Sequence, residues 1–171
     1  MIHEYTNRNQ ITGEKASNCV ELNSKVVAIL PFTLSELKSI DDLYLYRGVD
    51  AIDQEQYNGL IYGEIDPVND ETNLSTAIRL ANNMLNMPVG EKTIDKLFYL
   101  GTISQRGFFK CNVPLYAMNV TDYTQRGKKQ NLYSDESGKI VTVKYLNLMK
   151  SDSCEALTGA ALMMLVFHFS A

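Results

Sequence analysis

The stretch Asn58 to Met87, NGLIYGEIDPVNDETNLSTAIRLANNMLNM, decides the fold, because a strand-like run ends there in a polar turn and passes into an amphipathic helix. Apolar residues recur after the turn at spacings of three and four, which places them on one face of a helix. They are Leu74, Ala77, Ile78, Ala81 and Leu85. Three polar residues could cap the first helical turn, namely Asp70, Glu71 and Asn73. Pro88 and Gly90 are expected to end the helix.

The composition indicates one folded domain. A chain of 171 residues with 45% hydrophobic residues is long enough to bury a sizeable core. Residues 1–24 are mostly polar and offer little apolar surface, so we expect a polar N-terminal arm before a single domain at residues 25–171. An arm of this composition usually becomes ordered only through contact with something else, and another subunit is one candidate.

Charge and cysteine content disfavour several classes of protein. A formal charge of −4 and a pI near 5.2 make nucleic-acid binding unlikely, because phosphate attraction requires a concentrated positive surface. A short basic group, Arg126, Lys128 and Lys129, is interpreted as a solvated loop. Three widely spaced cysteines indicate neither a disulfide framework nor a metal knuckle. The sequence has no apolar signal core and no run long enough to span a bilayer, so we expect no membrane contact and no signal-peptide secretion.

Apolar and β-branched runs predict strands on both sides of the central helix. They are KVVAILPF at 25–32, LYLYRGV at 43–49, GLIYGEI at 59–65, and the runs 94–103, 107–120 and 139–148. Thr33 and Glu36 have capping-box spacing, which predicts one or two helical turns after the first strand. Pro114 predicts an edge position or a bulge in its strand. The order of strands, helix, strands and helix indicates an α+β domain with a mixed sheet between helical layers.

A C-terminal helix is expected to begin within residues 151–153 and to end near Phe169. The segment SDSCE allows a side-chain cap, with Glu155 near the third helical position. The expected core stripe consists of Leu157, Ala160, Ala161, Met164 and Leu165. His168 is expected to bind a local carbonyl or to favour the helix dipole rather than to bind metal. The only other histidine is His3, so no Cys–His or Ser–His–Asp arrangement is indicated.

This order of elements resembles the Nudix hydrolase superfamily, and the resemblance spans about residues 25–169. LYLYRG is similar to the strand before the family's glycine loop, NGLIYGEID to the loop entrance, and DETNLSTAIRL to the start of its signature helix. Glu71 and Arg79 keep the signature's seven intervening residues, and Asp152 suits the start of the C-terminal helix. The glycine pair of the loop is reduced to Gly63. The resemblance implies a Nudix-like mixed β-sheet sandwiched between helices.

The family's chemistry depends on glutamates one helical turn beyond the arginine, which hold a divalent metal against a diphosphate. Hard cations such as Mg²⁺ require oxygen ligands, and carboxylates supply charge as well. The aligned positions here are Leu80, Asn83 and Met84, and no Asp or Glu occurs from Thr72 through Gly90. The resemblance therefore implies no catalytic residue, no metal and no cofactor. It leaves a set of vestigial signature positions: Gly63, Glu71, Arg79, Leu80, Asn83 and Met84.

Four acidic residues precede the helix, namely Glu64, Asp66, Asp70 and Glu71. They could hold a metal only in a different arrangement, and the preferred interpretation is a solvated acidic turn with one helix-capping residue. A structural pair between Glu71 and Arg79, two helical turns apart, would orient the loop without any substrate.

We therefore expect a catalytically silent Nudix-like module that serves as a structural or protein-interaction element. Its expected partners are copies of itself and other protein subunits. The Asn-, Tyr- and Lys-leaning composition and the small size would suit a virion neck or tail ring component of a tailed bacteriophage, and otherwise a cytoplasmic protein. The alternative is an active divalent-metal-dependent Nudix hydrolase of nucleoside diphosphate derivatives, with ligands from Glu64, Asp66 or Glu71. A third possibility is a module that binds a nucleotide without cleaving it.

Overall fold

A computed structural model describes residues 2–5, 19–22, 25–49, 55–69, 71–85, 94–105, 109–124, 139–148 and 155–170. Nine strands occur in this part of the chain: β1 (Ile2–Tyr5), β2 (Cys19–Leu22), β3 (Val26–Leu34), β4 (Ile40–Val49), β5 (Gln56–Gly59), β6 (Ile61–Glu64), β7 (Leu97–Gln105), β8 (Phe109–Asn119) and β9 (Lys139–Lys144). Its helices are α1 (Asn73–Leu85), α2 (Thr121–Thr124), α3 (Tyr145–Leu148) and α4 (Ala156–Ser170). None of these helices is long and apolar enough to cross a membrane.

The strands form one mixed sheet around β3. On one edge β3 lies parallel to β8, and on the other edge it lies antiparallel to β6 and then to β4. The strands β5 and β6 follow each other with only Leu60 between them, and β5 pairs with β4 while β6 pairs with β3. Strand β9 adds to β4, and β7 adds to β8, both antiparallel. The predicted α+β architecture with a mixed sheet is confirmed.

The two longer helices cover opposite faces of the sheet. Successive residues of a strand point to opposite faces, so β3 sends Val27 and Ile29 towards α1, and Ala28 and Leu30 towards α4. The α1-side cluster consists of Val27, Ile29, Tyr44, Ile61, Ala77, Leu80, Ala81, Leu97, Tyr116, Met118 and Val120. The α4-side cluster consists of Ala28, Leu30, Phe32, Leu43, Leu45, Leu60, Val113, Leu115, Ala117, Leu148, Ala161, Leu162 and Leu165. Burial on both faces explains why β3 is an unbroken apolar run.

The N-terminal segment contributes two strands to the sheet. β1 and β2 pair antiparallel, and β2 lies parallel to the first residues of β8, with Val20 opposite Phe109. Main-chain pairing of this kind needs no apolar side chains, which is compatible with the polar composition of residues 1–24. The division of the chain into an arm at 1–24 and a domain at 25–171 stays a prediction.

The expected helical turns after the first strand are absent between β3 and β4, so that prediction is wrong. Thr33 belongs to β3 and is buried, and its hydroxyl accepts a hydrogen bond from the backbone N–H of Asp42 at 3.1 Å. The connection is a tight turn in which the N–H of Ser35 donates to the carbonyl of Ser39 at 2.8 Å. Lys38 adopts a φ of 59° in this turn. Since the Thr33 hydroxyl is already engaged across the turn, it does not cap a helix.

Two further predictions about strands need correction. The run 139–148 is a strand only as far as Lys144, and then turns into α3, which buries Leu148 in the α4-side cluster. Pro114 lies in β8, which is internal to the sheet, so an edge position is wrong. The pairing of β8 with β3 begins at Leu115, one residue after Pro114. The pairing of β8 with β7 has a register shift in β7 between Tyr99 and Gly101, which lie opposite Tyr116 and Leu115. The irregularity lies in β7, and Pro114 pairs in regular register with Thr102, so the predicted bulge is not found in the strand of Pro114.

The C-terminal helix begins later than predicted, and its predicted core stripe is correct except for Ala160. It starts at Ala156, so Glu155 precedes the helix instead of occupying its third position. The buried residues are Thr158, Ala161, Leu162 and Leu165. Ala160, a predicted core residue, is exposed, while Leu157 and Met164 are half-buried. The spacing therefore identified the inward side of the helix but misplaced Ala160 and omitted Leu162, because this helix is apolar on every side.

Several predictions fall on residues outside the described set. They concern Asp70, the helix end at residues 88–90, the basic loop at 126–129 and the residues 151–154 before α4.

Candidate functional site

The candidate site is the turn from β6 into α1, where the sequence predicted a helix start. Thr72 caps the helix: its hydroxyl accepts from the N–H of Ser75 at 3.1 Å, and the Ser75 hydroxyl accepts from the N–H of Thr72 at 2.7 Å. This reciprocal arrangement is a capping box with serine in the place of the usual acid. The predictions of Glu71 or Asn73 as the cap are therefore wrong. The signal in the sequence was the spacing of Thr72 and Ser75, two hydroxyl residues three positions apart.

Glu71 is the centre of a hydrogen-bond network that joins the turn to the helix. Its carboxylate accepts from Nε of Arg79 at 2.7 Å and from Nη2 at 3.0 Å, which is a two-pronged ion pair. It also accepts from the N–H of Asp66 at 2.9 Å and from the hydroxyl of Thr76 at 3.1 Å. The predicted pair between Glu71 and Arg79 is confirmed. The network leaves the carboxylate with four protein donors.

The electrostatics of the pair keep both partners charged. The hydrogen bond from Arg79, followed by that from the N–H of Asp66, lowers the pKa of Glu71 to about 2. The same contact raises the pKa of Arg79 above its ordinary value. Arg79 also donates from Nη2 to the backbone carbonyl of Glu64 at 2.6 Å. The ion pair therefore ties the end of β6 to the second turn of α1.

Asp66 organises the turn itself. Its carboxylate accepts from the N–H of Val68 at 2.8 Å and from the side-chain amide of Asn69 at 2.6 Å. The hydrogen bond from Val68, followed by that from Asn69, lowers the pKa of Asp66. Side chains of aspartate commonly fold a turn in this way by accepting from the backbone two residues ahead. Glu64, the remaining described acid before the helix, has an exposed side chain.

Leu80 and Gly63 interlock where the family resemblance places a metal ligand and a loop glycine. Leu80 is buried in the α1-side cluster, and a Cβ built on Gly63 would overlap its Cδ2 and lie 3.0 Å from its Cγ. Close packing of β6 against α1 therefore favours glycine here, since any larger residue would displace the end of the Leu80 side chain. Asn83 is exposed, and Met84 lies near the end of α1 with its side chain outside the described set.

The donors around α1 do not fit a divalent cation. Among the described residues, no group of three or more His, Cys, Asp or Glu is arranged to hold a metal ion. Asp66 and Glu71 are engaged in the turn and the ion pair. The side-chain oxygen of Asn82 is buried without a hydrogen-bond partner in this part of the chain. One neutral oxygen does not replace the several carboxylates that hold Mg²⁺, so we derive no chemistry through a metal here.

A second carboxylate network lies on the opposite face of the sheet and was missed from the sequence. Glu155, half-buried before α4, accepts from the Tyr62 hydroxyl at 3.3 Å and from the Thr158 hydroxyl at 3.1 Å. A Cβ on Gly59 would lie 2.7 Å from its Oε2. Because Tyr62 points away from α1 while Gly63 points towards it, Glu155 and Glu71 are separated by the sheet. They cannot share a ligand.

His168 packs among aromatic rings at the end of α4. Its ring stacks on Phe98 with centroids 4.8 Å apart and planes 15° apart, and lies 5.6 Å from the ring of Phe169. Phe169 in turn meets Phe32 edge-on at 5.4 Å. These contacts fix the last turn of α4 to β3 and β7.

A scan against protein-family models and a search of curated proteins found no match to this sequence. The fold does match solved structures. An ADP compounds hydrolase superposes with a TM-score of 0.60 at 15% identity, over 99% of this chain and 94% of that chain. The Nudix hydrolase RenU from M. smegmatis gives 0.56 at 12% identity, over 98% and 96% of the two chains. The C-terminal domain of mouse MUTYH, in a complex with human PCNA, gives 0.55 at 8% identity, over 85% and 89%.

Sequence identities of 8–15% establish a similarity of fold and nothing further. The matches extend over almost the whole chain, and they agree with the order of strands around α1 and with the helices on both faces of the sheet. The chain has a Nudix-like fold.

Proposed function

We propose that this chain is a non-catalytic Nudix-like module whose role is structural or protein-interacting. The observation that carries the proposal is the interlock between Leu80 and Gly63. A buried leucine fills the position where the resemblance places a metal-binding glutamate, and it packs against Gly63, the remaining glycine of the family's loop. A carboxylate at this position would be surrounded by the α1-side cluster, where an unpaired charge is strongly disfavoured.

The acids that remain near α1 support the same proposal. A carboxylate that holds a metal must leave its lone pairs open to the ion, whereas Glu71 accepts hydrogen bonds from Arg79, Asp66 and Thr76. Its low pKa follows from these donors. The network therefore explains why an acid and an arginine stand at signature spacing in a chain that lacks the other ligands.

A role in protein contact is supported by one of the similar folds. The C-terminal domain of mouse MUTYH has been solved together with another protein, human PCNA. We propose that the present module likewise acts through protein surfaces, with copies of itself or with other subunits as partners. The placement in a bacteriophage virion, as a neck or tail ring component, is a further proposal supported by composition alone. Mass spectrometry of purified particles from a host that carries the gene would test it.

The decisive experiment is a turnover assay. Purified chain is incubated with Mg²⁺ or Mn²⁺ and a panel of nucleoside diphosphate derivatives, with Glu71→Gln as the matched variant. We expect no product above the background shared by both proteins. Turnover by the natural chain that is lost in Glu71→Gln would overturn the proposal.

The second candidate is an active Nudix hydrolase, and the solved ADP compounds hydrolase and RenU favour it because both are hydrolases of the same fold. In that case Glu64 and Asp66 would have to join Glu71 in an unconventional ligand set. Glu64→Gln and Asp66→Asn would then each abolish the metal-dependent reaction.

The third candidate is nucleotide binding without cleavage. Thermal unfolding in the presence of nucleotides distinguishes it from the proposed function. A ligand that binds only the folded state raises the unfolding temperature, and the rise grows with the logarithm of its concentration above Kd. Under the proposed function no nucleotide in the panel shifts the transition, with or without Mg²⁺. A shift without turnover would favour the binding module.

A further inference from the structure

The C-terminal helix α4 is apolar on both of its faces. Residues 156–170 contain no Asp, Glu, Lys or Arg. One face is buried against the sheet through Thr158, Ala161, Leu162 and Leu165. A helix that is apolar all round is usually buried all round, so the outward face of α4 is an exception that requires an occupant.

The outward face forms a regular stripe. Ala156, Ala160, Met163 and Phe167 are all exposed, and they are spaced by four, three and four residues, the repeat of a coiled-coil seam. Met163 is 52% exposed and Phe167 is 67% exposed. We call these four residues the α4 stripe. Its spacing is the one with which a helix packs against a second, nearly antiparallel or parallel helix.

The α4 stripe changes in size along the helix, from two alanines at its start to methionine and phenylalanine at its end. A Cβ built on Gly159 would meet nothing within 4 Å, so the space beside the alanines is open. When the stripe is turned by 180° about its midpoint, Phe167 falls on Ala156 and Met163 falls on Ala160. Each large residue then meets a small one, as knobs meet holes.

We propose that a second copy of this chain docks antiparallel on α4 and forms a symmetric dimer. In such an interface the same surface is used twice, and each contact occurs in both directions. The stripe is complementary to itself in this orientation alone. A parallel arrangement would place Phe167 against Phe167 and leave a gap between the alanines. Residues 156–170 contain no Asp, Glu, Lys or Arg, so the approach of the two helices buries no such charged side chain of α4.

A membrane surface fits the α4 stripe less well than a second copy. Helices that lie on membranes usually carry Lys and Arg around their apolar face, and α4 carries neither. The formal charge of −4 on the chain also opposes approach to anionic lipid. The uncharged, size-graded stripe favours a protein helix of the same kind.

The exposed area sets the strength of the dimer. An aromatic side chain carries about 150–250 Å² and Phe167 is 67% exposed, so the four residues of the α4 stripe together offer on the order of 300 Å² per copy. A standard stable interface buries roughly 800 Å² per partner. The dimer is therefore reversible and dissociates on dilution. This proposal names a partner for the interaction module proposed above, and to that extent rests on it.

The test is sedimentation equilibrium of the full chain over a wide range of concentrations. We expect a monomer–dimer equilibrium that Phe167→Lys weakens about tenfold or more, because it places a charge at the end of the stripe. Leu37→Lys is the matched control, since Leu37 is 91% exposed in the turn between β3 and β4 and lies outside the α4 stripe. It should leave the equilibrium unchanged. A natural chain that stays monomeric, or equal effects of both variants, would overturn the proposal.

The orientation has its own test. Ala156→Glu alone and Phe167→Lys alone should each associate weakly, whereas a mixture of the two should form a heterodimer, because the new carboxylate and ammonium meet across an antiparallel interface. Failure of the mixture to associate would overturn the antiparallel arrangement. Binding of the natural chain to phosphatidylcholine vesicles in place of dimerisation would overturn the protein partner. Turnover in a dimeric chain would overturn only the non-catalytic function, so the two proposals fail separately.

Discussion

The two helices that cover the sheet differ in what surrounds them. Helix α1 buries one face and carries polar residues on the other, and its start is fixed by Thr72 and by the ion pair of Glu71 with Arg79. Helix α4 has no charged residue and exposes Met163 and Phe167. The outer face of α1 is suited to water, while that of α4 is suited to another protein. The difference places the candidate contact surface on the side of the sheet away from the vestigial signature.

The largest expected effect is the difference in unfolding free energy between substitutions on the two faces of α4. Leu165→Ala should destabilise the chain by about 2–5 kcal/mol, because Leu165 is fully buried and its truncation leaves a cavity. Phe167→Ala should change the stability of the monomer by less than about 0.5 kcal/mol, as surface substitutions usually do. Urea unfolding at concentrations below the dimer range measures both. A large loss in Phe167→Ala under these conditions would show that the α4 stripe is covered within the monomer.

The second effect concerns the interlock on the α1 side. Gly63→Ala should cost about 1–3 kcal/mol, since the new Cβ would overlap Leu80. Leu80→Ala should cost about 2–5 kcal/mol through the cavity it leaves.

The double variant of Gly63 and Leu80 distinguishes packing from independent effects. Truncation of Leu80 makes room for the new methyl group, so we expect a loss smaller than the sum of the two single losses, by about 0.5–3 kcal/mol. Additive losses in the unfolding free energy would contradict the interlock. Gly59→Ala is not a neutral control, because its Cβ would meet Glu155.

The sequence predicted α1 well because its two faces differ in polarity. A period of three and four is visible only when apolar residues alternate with polar ones, as they do from Leu74 to Leu85. The same reasoning was less exact for α4, since every stripe of that helix is apolar. Ala160 was expected in the core and is exposed, whereas Leu162 was not expected there and is buried. Only packing against the sheet decides which stripe is inward.

Contacts of the candidate site between residues close in sequence could be predicted. Contacts between separate strands and helices were harder to predict. Glu71 and Arg79 lie two turns apart on one segment, so their ion pair followed from the spacing. The contact of Leu80 with Gly63 depends on how closely α1 approaches β6, and that of Glu155 with Tyr62 depends on the path of the chain around the sheet edge. Neither distance is encoded in a local pattern.

The third effect tests the cap of α1. Thr72→Ala should destabilise the chain by about 1 kcal/mol, because the N–H of Ser75 loses its acceptor at the helix start. Asn73→Ala is the matched control, as Asn73 is the first helical residue and is exposed. Thermal unfolding of both variants beside the natural chain measures the difference. Equal losses would show that Thr72 does not act as the cap.

The smallest expected effect at neutral pH belongs to the ion pair, because Arg79 remains 38% exposed and exposed ion pairs are screened by water. Its signature is a dependence on pH. The folded chain holds the pKa of Glu71 at about 2, against an ordinary value of 4.5. Between these values the unfolded chain takes up a proton that the folded chain does not, so the contribution of Glu71 to stability is complete above pH 4.5 and decreases as the pH falls towards 2.

Glu71→Gln cannot titrate at this position, so it isolates that contribution. We expect the difference in unfolding free energy between the natural chain and Glu71→Gln to be constant above about pH 5 and to narrow steadily towards pH 2. Denaturant unfolding at a series of pH values measures it, with Glu64→Gln as a control because Glu64 is an exposed acid beside the same turn. A difference that does not change with pH would mean that Glu71 acts through shape alone. The ion pair of Glu71 with Arg79 would then add no charge-dependent stability to α1, and in this respect α1 would resemble the uncharged helix α4.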